Sequence, residues 1–399
     1  MLLESKPTLF ILLSRFPFPL EKGDKLRAFH QIKGLSSSFD IVLCCLSEHV
    51  VSAVHYEEVS RFCKEVHVFK LTKWGLFFQA SLNLISNRPF QVAYFYRYRH
   101  FRSIQQLLLK HKPAHIFCQL LRVADYVKDY HLCPKTIDYM DALSKGMERR
   151  IKTEPWYKSW FFKLEFKRLT HYERSIFDYF EHKVIISLQD LNFIRHPKRS
   201  EIHVIPNGVD ESFFNFPSLE KKYDLLFTGN FNYPPNIEGA IYLVKEILPL
   251  LREKGFDVSV LLSGADPHPR VKALASDRVT VTGWVDDIRT SYAQSKIFVA
   301  PMFIGTGLQN KLLEAMAMGL PCVTTTLANN ALGAKDSENI LLAEQSHEFV
   351  EKIIVFLTKS DRFMTITNNA KNFVQENYSW DNQNALLLNV LLESGNQSF

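Results

Sequence analysis

Short apolar runs alternate along the chain with longer segments in which apolar residues recur every three or four positions. The runs at 9–13, 39–46, 65–71 and 114–119 predict buried strands, and the spacing between them is helical. The same alternation returns at 223–229, 258–264, 279–283 and 296–301. Strands that alternate with helices are typical of a doubly wound parallel sheet. Two such series predict an α/β protein with two domains.

The segment 296–326, KIFVAPMFIGTGLQNKLLEAMAMGLPCVTTT, combines a strand, a glycine turn, a helix and a second strand. Gly305 and Gly307 form the turn, Gln309 to Met318 is free of helix breakers, and Gly319 ends the helix. The turn follows the carboxyl end of a strand, where open parallel sheets bind ligands. Glycines allow close approach of a ligand, and the start of a helix attracts anions. We therefore expect a phosphate-bearing ligand here, although glycine turns of this kind are common without one.

Two charged residues, Lys311 and Glu314, interrupt this otherwise apolar helix. A helix of that composition is covered on most sides, and a buried carboxylate persists only when it is paired or functional. Glu314 is therefore a candidate site residue. Glycines also follow two other strands, at Gly229, next to Asn230, and at Gly264, so three turns are expected at one sheet edge.

The N-terminal half offers a second set of candidates. Arg15 follows the first strand and Gly23 precedes a helix, which makes this turn favourable for an anion, although charged residues near helix ends are often only solvated. Asp138 and Asp141 end a later apolar run and could take a proton or stabilise positive charge. Alternatively, Asp141 only caps the helix that follows.

Three aromatic or basic stretches, 74–85, 90–99 and 151–180, suit a membrane interface, where aromatic rings and cationic groups anchor together. The alternative is that these aromatic residues pack in the core. No apolar run approaches the roughly 20 residues of a membrane helix. We expect a cytoplasmic protein, with peripheral contact to an anionic membrane left open.

Composition narrows the choice of partners and cofactors. The 399 residues are 46% apolar and 23% charged, with a net charge of +6, which is too mild to indicate nucleic acid and suits an anionic ligand or membrane. Six cysteines without a C-x-x-C pair indicate neither zinc nor a disulfide framework. We expect no metal and no cofactor.

The domain boundaries are predicted from the turn residues that interrupt the chain. Pro206, Asn207 and Gly208 form a turn after a strand. We expect an N-terminal domain over 1–206, a linker over 207–222 and a second domain over 223–376. A final helix over 377–399 is expected to cross back to the first domain.

Four motifs give the chain a resemblance to a known family: VIPNGVD at 204–210, LLFTGNFNYPPN at 225–236, VTVTGWVDD at 279–287 and the segment 300–326. In this order and spacing they resemble glycosyltransferase family 4 (glycosyl transferases group 1), which has the GT-B fold and a retaining mechanism. RFPFPLEKGDKLR and IDYMDALS resemble its cell-surface polysaccharide branch. The resemblance implies two facing Rossmann-like domains, with a nucleotide-sugar donor held mainly by the second and the acceptor by the first.

The resemblance also assigns residues, with two departures. Glu314 matches the second glutamate of the E-x7-E motif, which binds ribose hydroxyls, but Thr306 stands where the first is usual. Donor sugar contacts are then expected to differ from the family's or to rest on the backbone amides of Gly307, Leu308 and Gln309. Asn230 stands where the family often has a cation, so Lys311 and Arg15 become the candidates for neutralising the diphosphate.

The sequence therefore predicts transfer of a sugar from a nucleoside-diphosphate sugar to a carbohydrate or lipid-linked acceptor. Retention without a protein nucleophile implies front-face attack, with the leaving phosphate as base. Asp138 and Asp141 would then orient a sugar, and Gly23 would let the first loop approach the diphosphate. The alternatives are a nucleotide-sugar hydrolase or epimerase, and a non-catalytic binding subunit.

Overall fold

The computed structural model describes residues 6–71, 87–153, 155–304, 307–358 and 360–393. The chain divides into two compact units. Unit 1 comprises Met1–Pro206 and Gln383–Phe399, and unit 2 comprises Asn207–Asn382. Each unit contains its own parallel sheet with helices, which is the α/β architecture expected from the alternating pattern.

The sheet of unit 1 has seven parallel strands in the order β3-β2-β1-β4-β5-β6-β7. They are β1 (Thr8–Leu13), β2 (Asp40–Ser47), β3 (Glu65–Lys70), β4 (His115–Gln119), β5 (Lys135–Asp138), β6 (His182–Ile185) and β7 (Ile202–Val204). The helices are Gly23–Leu35, Ala53–Ser60, Phe90–Phe95, Tyr98–His111, Leu143–Thr153, Trp156–Ile176 and Leu188–Phe193. The order reverses between β1 and β4, so ligand-binding turns are expected at the carboxyl ends of these strands.

Both faces of the unit 1 sheet are covered, as a parallel sheet requires. Side chains of β1 alternate between two cores: Phe10 and Leu12 pack in one, and Leu9, Ile11 and Leu13 in the other. The second core also contains Leu387, Val390 and Leu391 of the last helix, Trp380–Glu393. The C-terminal residues from Gln383 onward thus complete the core of unit 1.

The sheet of unit 2 has six parallel strands in the order β10-β9-β8-β11-β12-β13. They are β8 (Tyr223–Thr228), β9 (Val260–Ser263), β10 (Val279–Gly283), β11 (Ser295–Ala300), β12 (Cys322–Thr324) and β13 (Leu341–Leu342). The α-helices are Pro234–Tyr242, Leu248–Glu253, Pro269–Lys272, Ile288–Ala293, Asn310–Ala317, Thr326–Asn329, Ser346–Thr358 and Ser360–Asn377. A π-helical turn, Leu243–Ile247, joins the first two helices. The order reverses between β8 and β11.

Helix Asn310–Ala317 shows why the sequence pattern was informative. Its apolar side chains are inaccessible to solvent, and Gly319, with φ +70°, ends it in the left-handed conformation that glycine accommodates best. The helix predicted over Gln309 to Met318 is confirmed, with one residue fewer at each end.

Two of the three aromatic stretches, 74–85 and 90–99, have different outcomes. Residues 74–85 lie outside the described residues. In 90–99, Val92, Ala93 and Phe95 are buried, and the Tyr126 hydroxyl accepts from the Arg97 N–H and donates to the Phe95 carbonyl, each at 2.8 Å. The structure therefore favours the core alternative for most of this stretch, whereas Tyr98 is 65% exposed. Among the described residues, no helix has the length and apolar character needed to cross a bilayer.

Candidate functional site

At the carboxyl edge of the unit 2 sheet, the backbone of one turn lies very close to the backbone of a neighbouring turn. Strands β8, β9 and β11 are neighbours and end at this edge, and Gly229 and Gly264 follow the first two. A Cβ added to Gly264, whose φ is +151°, would lie 1.9 Å from the Gly229 carbonyl oxygen. Only glycine fits there, so the predicted gathering of these two turns is confirmed.

The turn after β11 leads directly into helix Asn310–Ala317. Gly305 and Thr306 lie outside the described residues, whereas Gly307 has φ +94° and Leu308 is partly buried. Gln309 occupies the N-cap position without capping the helix, because its Nε2 donates to the Gly307 carbonyl at 3.1 Å. The first turn of the helix is thus not capped by the residue that precedes it, and helix starts of this kind attract anions.

Lys311 brings a positive charge to this edge. Its Nζ donates to the Asn236 Oδ1 and lies 4.9 Å from the centre of the Phe227 ring. Burial lowers the pKa of Lys311 to about 7, and the negative charge of Glu314 opposes this shift. The residue nevertheless keeps part of its surface accessible. Near neutral pH this amine can therefore gain or lose a proton, and its accessible surface allows it to contact a ligand.

Glu314 lies one turn further along the same helix. Its Oε2 accepts from the Tyr292 hydroxyl at 2.9 Å, and that hydroxyl also lies 2.8 Å from the Thr228 Oγ1. Burial raises the pKa of Glu314 to about 7, while the Tyr292 hydrogen bond and Lys311 oppose the rise. The tyrosine fixes one carboxylate oxygen, so the orientation of the group is set before any ligand arrives.

At the carboxyl edge of the unit 1 sheet, the turn after β1 holds Arg15 against Asp24. The Arg15 Nη1 donates to the Asp24 Oδ2 at 2.6 Å, and Gly23 begins helix Gly23–Leu35. The Gln119 side chain, from the end of β4, donates to the Asp24 carbonyl at 3.2 Å. The turn that was predicted to favour an anion therefore already contains a carboxylate, Asp24, paired with Arg15.

Asp138 and Asp141 have opposite environments. Asp138 has no accessible surface, and its carboxylate accepts from the Arg27 Nε at 2.6 Å, the Gln31 Nε2 at 3.2 Å and the Met140 N–H at 2.9 Å. The expected contact with a sugar does not agree with these contacts, which hold Asp138 inside unit 1. We interpret it as a residue that positions helix Gly23–Leu35.

Asp141, by contrast, is exposed. Burial of its carboxyl group, together with Asp190, raises its pKa to about 6, while Arg122 and Arg149 oppose this shift. Because the residue as a whole is exposed, we attribute the rise to crowding around the carboxyl group rather than to full enclosure. Asp141 remains the better candidate for contact with a substrate.

Two residues that follow neighbouring strands of this sheet have positive φ values. Leu120, which follows β4, has φ +67°, and Met140, which follows β5, has φ +60°. Bulky residues adopt this conformation only under constraint, and such residues cluster at functional sites. Met140 lies between the two aspartates and marks the point where one points inward and the other is exposed.

The sequence did not single out three residues of these edges. Asn236, the partner of Lys311, is the last residue of the motif LLFTGNFNYPPN, which had been used only for the family resemblance. Arg122, whose Nη2 donates to the Gln91 Oε1 at 3.0 Å, comes three residues after the end of β4, and this closeness to a strand end is a signal that could have been used. Tyr292 is a buried helix residue, and nothing in its neighbourhood in the sequence indicates that it contacts Glu314.

Comparison with known proteins identifies a matching family model and a similar protein. Residues 222–359 match the family model described as glycosyl transferases group 1. A protein of Klebsiella pneumoniae, described as an uncharacterized 44.6 kDa protein in the cps region, is 24% identical over 383 residues, which cover 91% of this chain and 94% of the relative.

Two solved structures are similar over almost the whole chain. Sucrose-phosphate synthase from Thermosynechococcus elongatus has a TM-score of 0.69 at 14% identity, covering 98% of this chain and 100% of the other. The Anabaena protein HepE, in complex with UDP-glucose, has a TM-score of 0.65 at 13% identity, covering 96% and 99%. At these identities the likeness establishes the fold. Residues 222–359 are therefore similar to the glycosyl transferases group 1, and the chain has the GT-B fold with two Rossmann-like units.

Proposed function

We propose that the protein is a retaining glycosyltransferase of glycan synthesis that moves a sugar from a nucleoside-diphosphate sugar to a carbohydrate or lipid-linked acceptor. The observation that carries this proposal is the placement of Lys311 and Glu314 beside two glycine turns, within the segment that matches the family. The complex of HepE with UDP-glucose, and the cps region named for the Klebsiella relative, support a nucleotide-sugar donor and a role in polysaccharide synthesis.

Unit 2 would hold the donor. Protonated Lys311 would neutralise the diphosphate as negative charge develops on the leaving oxygen, and the backbone amides of Gly307, Leu308 and Gln309 would contact the same groups. Glu314, oriented by Tyr292, would accept from the ribose hydroxyls. The turn with Gly229 and Asn230, and the turn with Gly264, would leave room at the sheet edge for the nucleotide to approach the backbone.

Unit 1 would hold the acceptor. Asp141 would accept a hydrogen bond from an acceptor hydroxyl, and Arg15 would contact an anionic group. In front-face transfer the acceptor oxygen bonds to the anomeric carbon as the bond to the diphosphate breaks. The acceptor proton passes to the leaving phosphate oxygen, so no protein nucleophile is needed. Lys311 would supply the charge that a metal provides in other transferases, so we propose that the reaction needs neither metal nor cofactor.

A nucleotide-sugar panel tests this proposal. We expect a uridine or guanosine diphosphate sugar to raise the melting temperature of the full chain, because a ligand that binds only the folded state stabilises it. Release of nucleoside diphosphate should then depend on added acceptor and persist in EDTA, and NMR should show a retained anomeric configuration. Donor consumption without acceptor would instead indicate a hydrolase or epimerase. Tight nucleotide binding without turnover across the acceptor panel would indicate a binding subunit.

A further inference from the structure

Helix Trp156–Ile176 of unit 1 carries three large aromatic side chains that the fold does not cover. Trp156 is 87% exposed, Tyr157 56% and Trp160 62%. Large apolar side chains that cluster on a surface indicate an interaction site, whereas single ones need no explanation. Tyr157 and Lys158 contact each other, with the ammonium group 5.8 Å from the ring centre. These residues form one aromatic end of the helix.

The acidic residues of this helix lie on its buried side. Its two carboxylates, Glu165 and Glu173, are each only 1% exposed. Glu165 accepts from the Phe90 and Gln91 N–H groups at 2.8 and 3.0 Å, and Glu173 accepts from the Ser144 N–H at 2.9 Å. Each therefore satisfies the first N–H groups of another helix, Phe90–Phe95 or Leu143–Thr153.

This internal use of both acidic residues leaves an exposed face whose full charges are all positive. Lys163, Lys167 and Arg174 are exposed and follow Trp156 and Trp160 at intervals of three, four or seven residues, so they lie on the same side of the helix. The stripe is about 27 Å long at 1.5 Å per residue. It has aromatic rings at one end and cations along the rest, the combination that binds at the boundary between lipid headgroups and acyl chains.

We propose that this exposed face of helix Trp156–Ile176 docks the protein on an anionic lipid bilayer. Trp156 and Trp160 enter the interface, and Lys163, Lys167 and Arg174 lie over the acidic headgroups. The inference rests on the proposed function in one respect: it selects a lipid-linked acceptor, presented at the inner face of a membrane, over a free carbohydrate. A protein partner with an acidic surface is the competing occupant, and the absence of lipid binding would favour it.

Vesicle flotation of the full chain tests the docking face. We expect the wild-type protein to float with vesicles containing phosphatidylglycerol, and to bind vesicles of phosphatidylcholine alone much more weakly. Trp156→Ala with Trp160→Ala should lower the partition coefficient about tenfold or more, since both rings lose burial in the interface. Trp284→Ala, which removes a tryptophan that is 61% exposed in unit 2, is the matched control and should leave binding unchanged.

A charge-reversal pair tests the electrostatic part. Lys163→Glu with Lys167→Glu should reduce binding to anionic vesicles by about thirtyfold or more, because each cation near such a surface contributes to binding. Lys245→Glu with Lys254→Glu, at exposed positions of unit 2, makes the same change in net charge and should have little effect. Equal losses in both pairs would overturn the assignment of the face, as would wild-type protein that does not float.

Nucleotide-sugar stabilisation and transfer to a soluble acceptor fragment separate this inference from the proposed function. We expect the docking variants to keep both and to lose transfer only when the acceptor is carried in vesicles. A wild-type protein that turns over a soluble acceptor but does not bind vesicles would overturn the docking face alone. One that binds vesicles through these residues but transfers no sugar would overturn the proposed function alone.

Discussion

The two sheets end in different ways at their carboxyl edges. In unit 2, the strands β8 and β9 end in Gly229 and Gly264, and the charges of the edge come from the helix that follows β11. In unit 1, the corresponding turns carry charged side chains, of which several are paired with one another, as Arg15 with Asp24 and Arg27 with Asp138. One edge is formed mainly by backbone and the other by side chains.

This difference separates residues that hold the fold from residues that are available to a ligand. In unit 2, the pKa values of Lys311 and Glu314 are both shifted to about 7, so their charges respond to whatever binds there. In unit 1, Asp138 is enclosed by its partners, and only Asp141 among the two predicted aspartates is exposed. Substitutions at the two edges should therefore have different consequences.

The largest effect is expected on stability, from Asp138→Ala in unit 1. The change leaves Arg27, which has no accessible surface, as a buried charge without its carboxylate partner, at a cost of about 3–5 kcal/mol. Urea unfolding followed by circular dichroism measures the loss. Activity per folded molecule should change little, because the carboxylate contacts only groups inside unit 1.

A double variant provides the control for this prediction. Arg27→Leu with Asp138→Leu removes both charges and should recover much of the lost stability. If Asp138→Ala kept its stability and lost more than about a hundredfold in turnover, a loss typical of an electrostatic contact to the transition state, Asp138 would contact the substrate as the sequence suggested.

Lys311→Ala should affect unit 2 in the opposite way. Removing the cation that we propose to face the leaving diphosphate should lower kcat by about 10²–10³, as the loss of one preorganised electrostatic contact does elsewhere. Steady-state release of nucleoside diphosphate measures this effect, and circular dichroism should show an intact fold. Lys335→Ala, at an exposed lysine of the same unit, is the control and should behave like the wild type. Near-normal kcat in Lys311→Ala would contradict the assigned role.

The smallest predicted effect is on the pH dependence of kcat/KM for the donor. Lys311 is charged below a pKa of about 7, so the diphosphate binding proposed for it should weaken as the pH rises through that value. Glu314 is ionised above a pKa of about 7, so the ribose binding proposed for it should weaken as the pH falls through that value. We expect a narrow bell with a maximum near pH 7 and limbs of about tenfold per pH unit, whose apparent pKa values belong to the interacting pair.

Two variants assign the limbs of that bell. Lys311→Arg keeps its charge at all accessible pH values and should remove the alkaline limb, whereas Glu314→Gln should remove the acid limb. A profile that keeps both limbs in both variants would show that other groups control donor binding.

Periodicity and punctuation were sufficient to predict the elements that surround the unit 2 edge. Helix Asn310–Ala317 was recognisable because apolar residues, a glycine turn before it and Gly319 after it all agree, and such agreement across levels specifies a local structure strongly. The approach of Gly264 to Gly229 followed from the topology of parallel strands, which brings their carboxyl ends to one edge.

The contacts of individual side chains could not be predicted in the same way. Whether Asp138 or Asp141 is exposed depends on the left-handed conformation of Met140, which a methionine adopts only under tertiary constraint. The partners of Lys311 and Glu314, Asn236 and Tyr292, come from distant parts of the chain. Sequence spacing carries no information on such contacts.

The division of unit 1 into two stretches of sequence also affects how the chain is made. Unit 2 is continuous, so it can fold as soon as its last residues leave the ribosome. The core of unit 1 includes Leu387, Val390 and Leu391, which are synthesised only after all of unit 2. The first 206 residues must therefore wait, with an apolar surface uncovered, until residues 387–391 have been synthesised. Unit 1 is therefore begun before unit 2 and completed after it, so it depends longest on protection from aggregation in the cell.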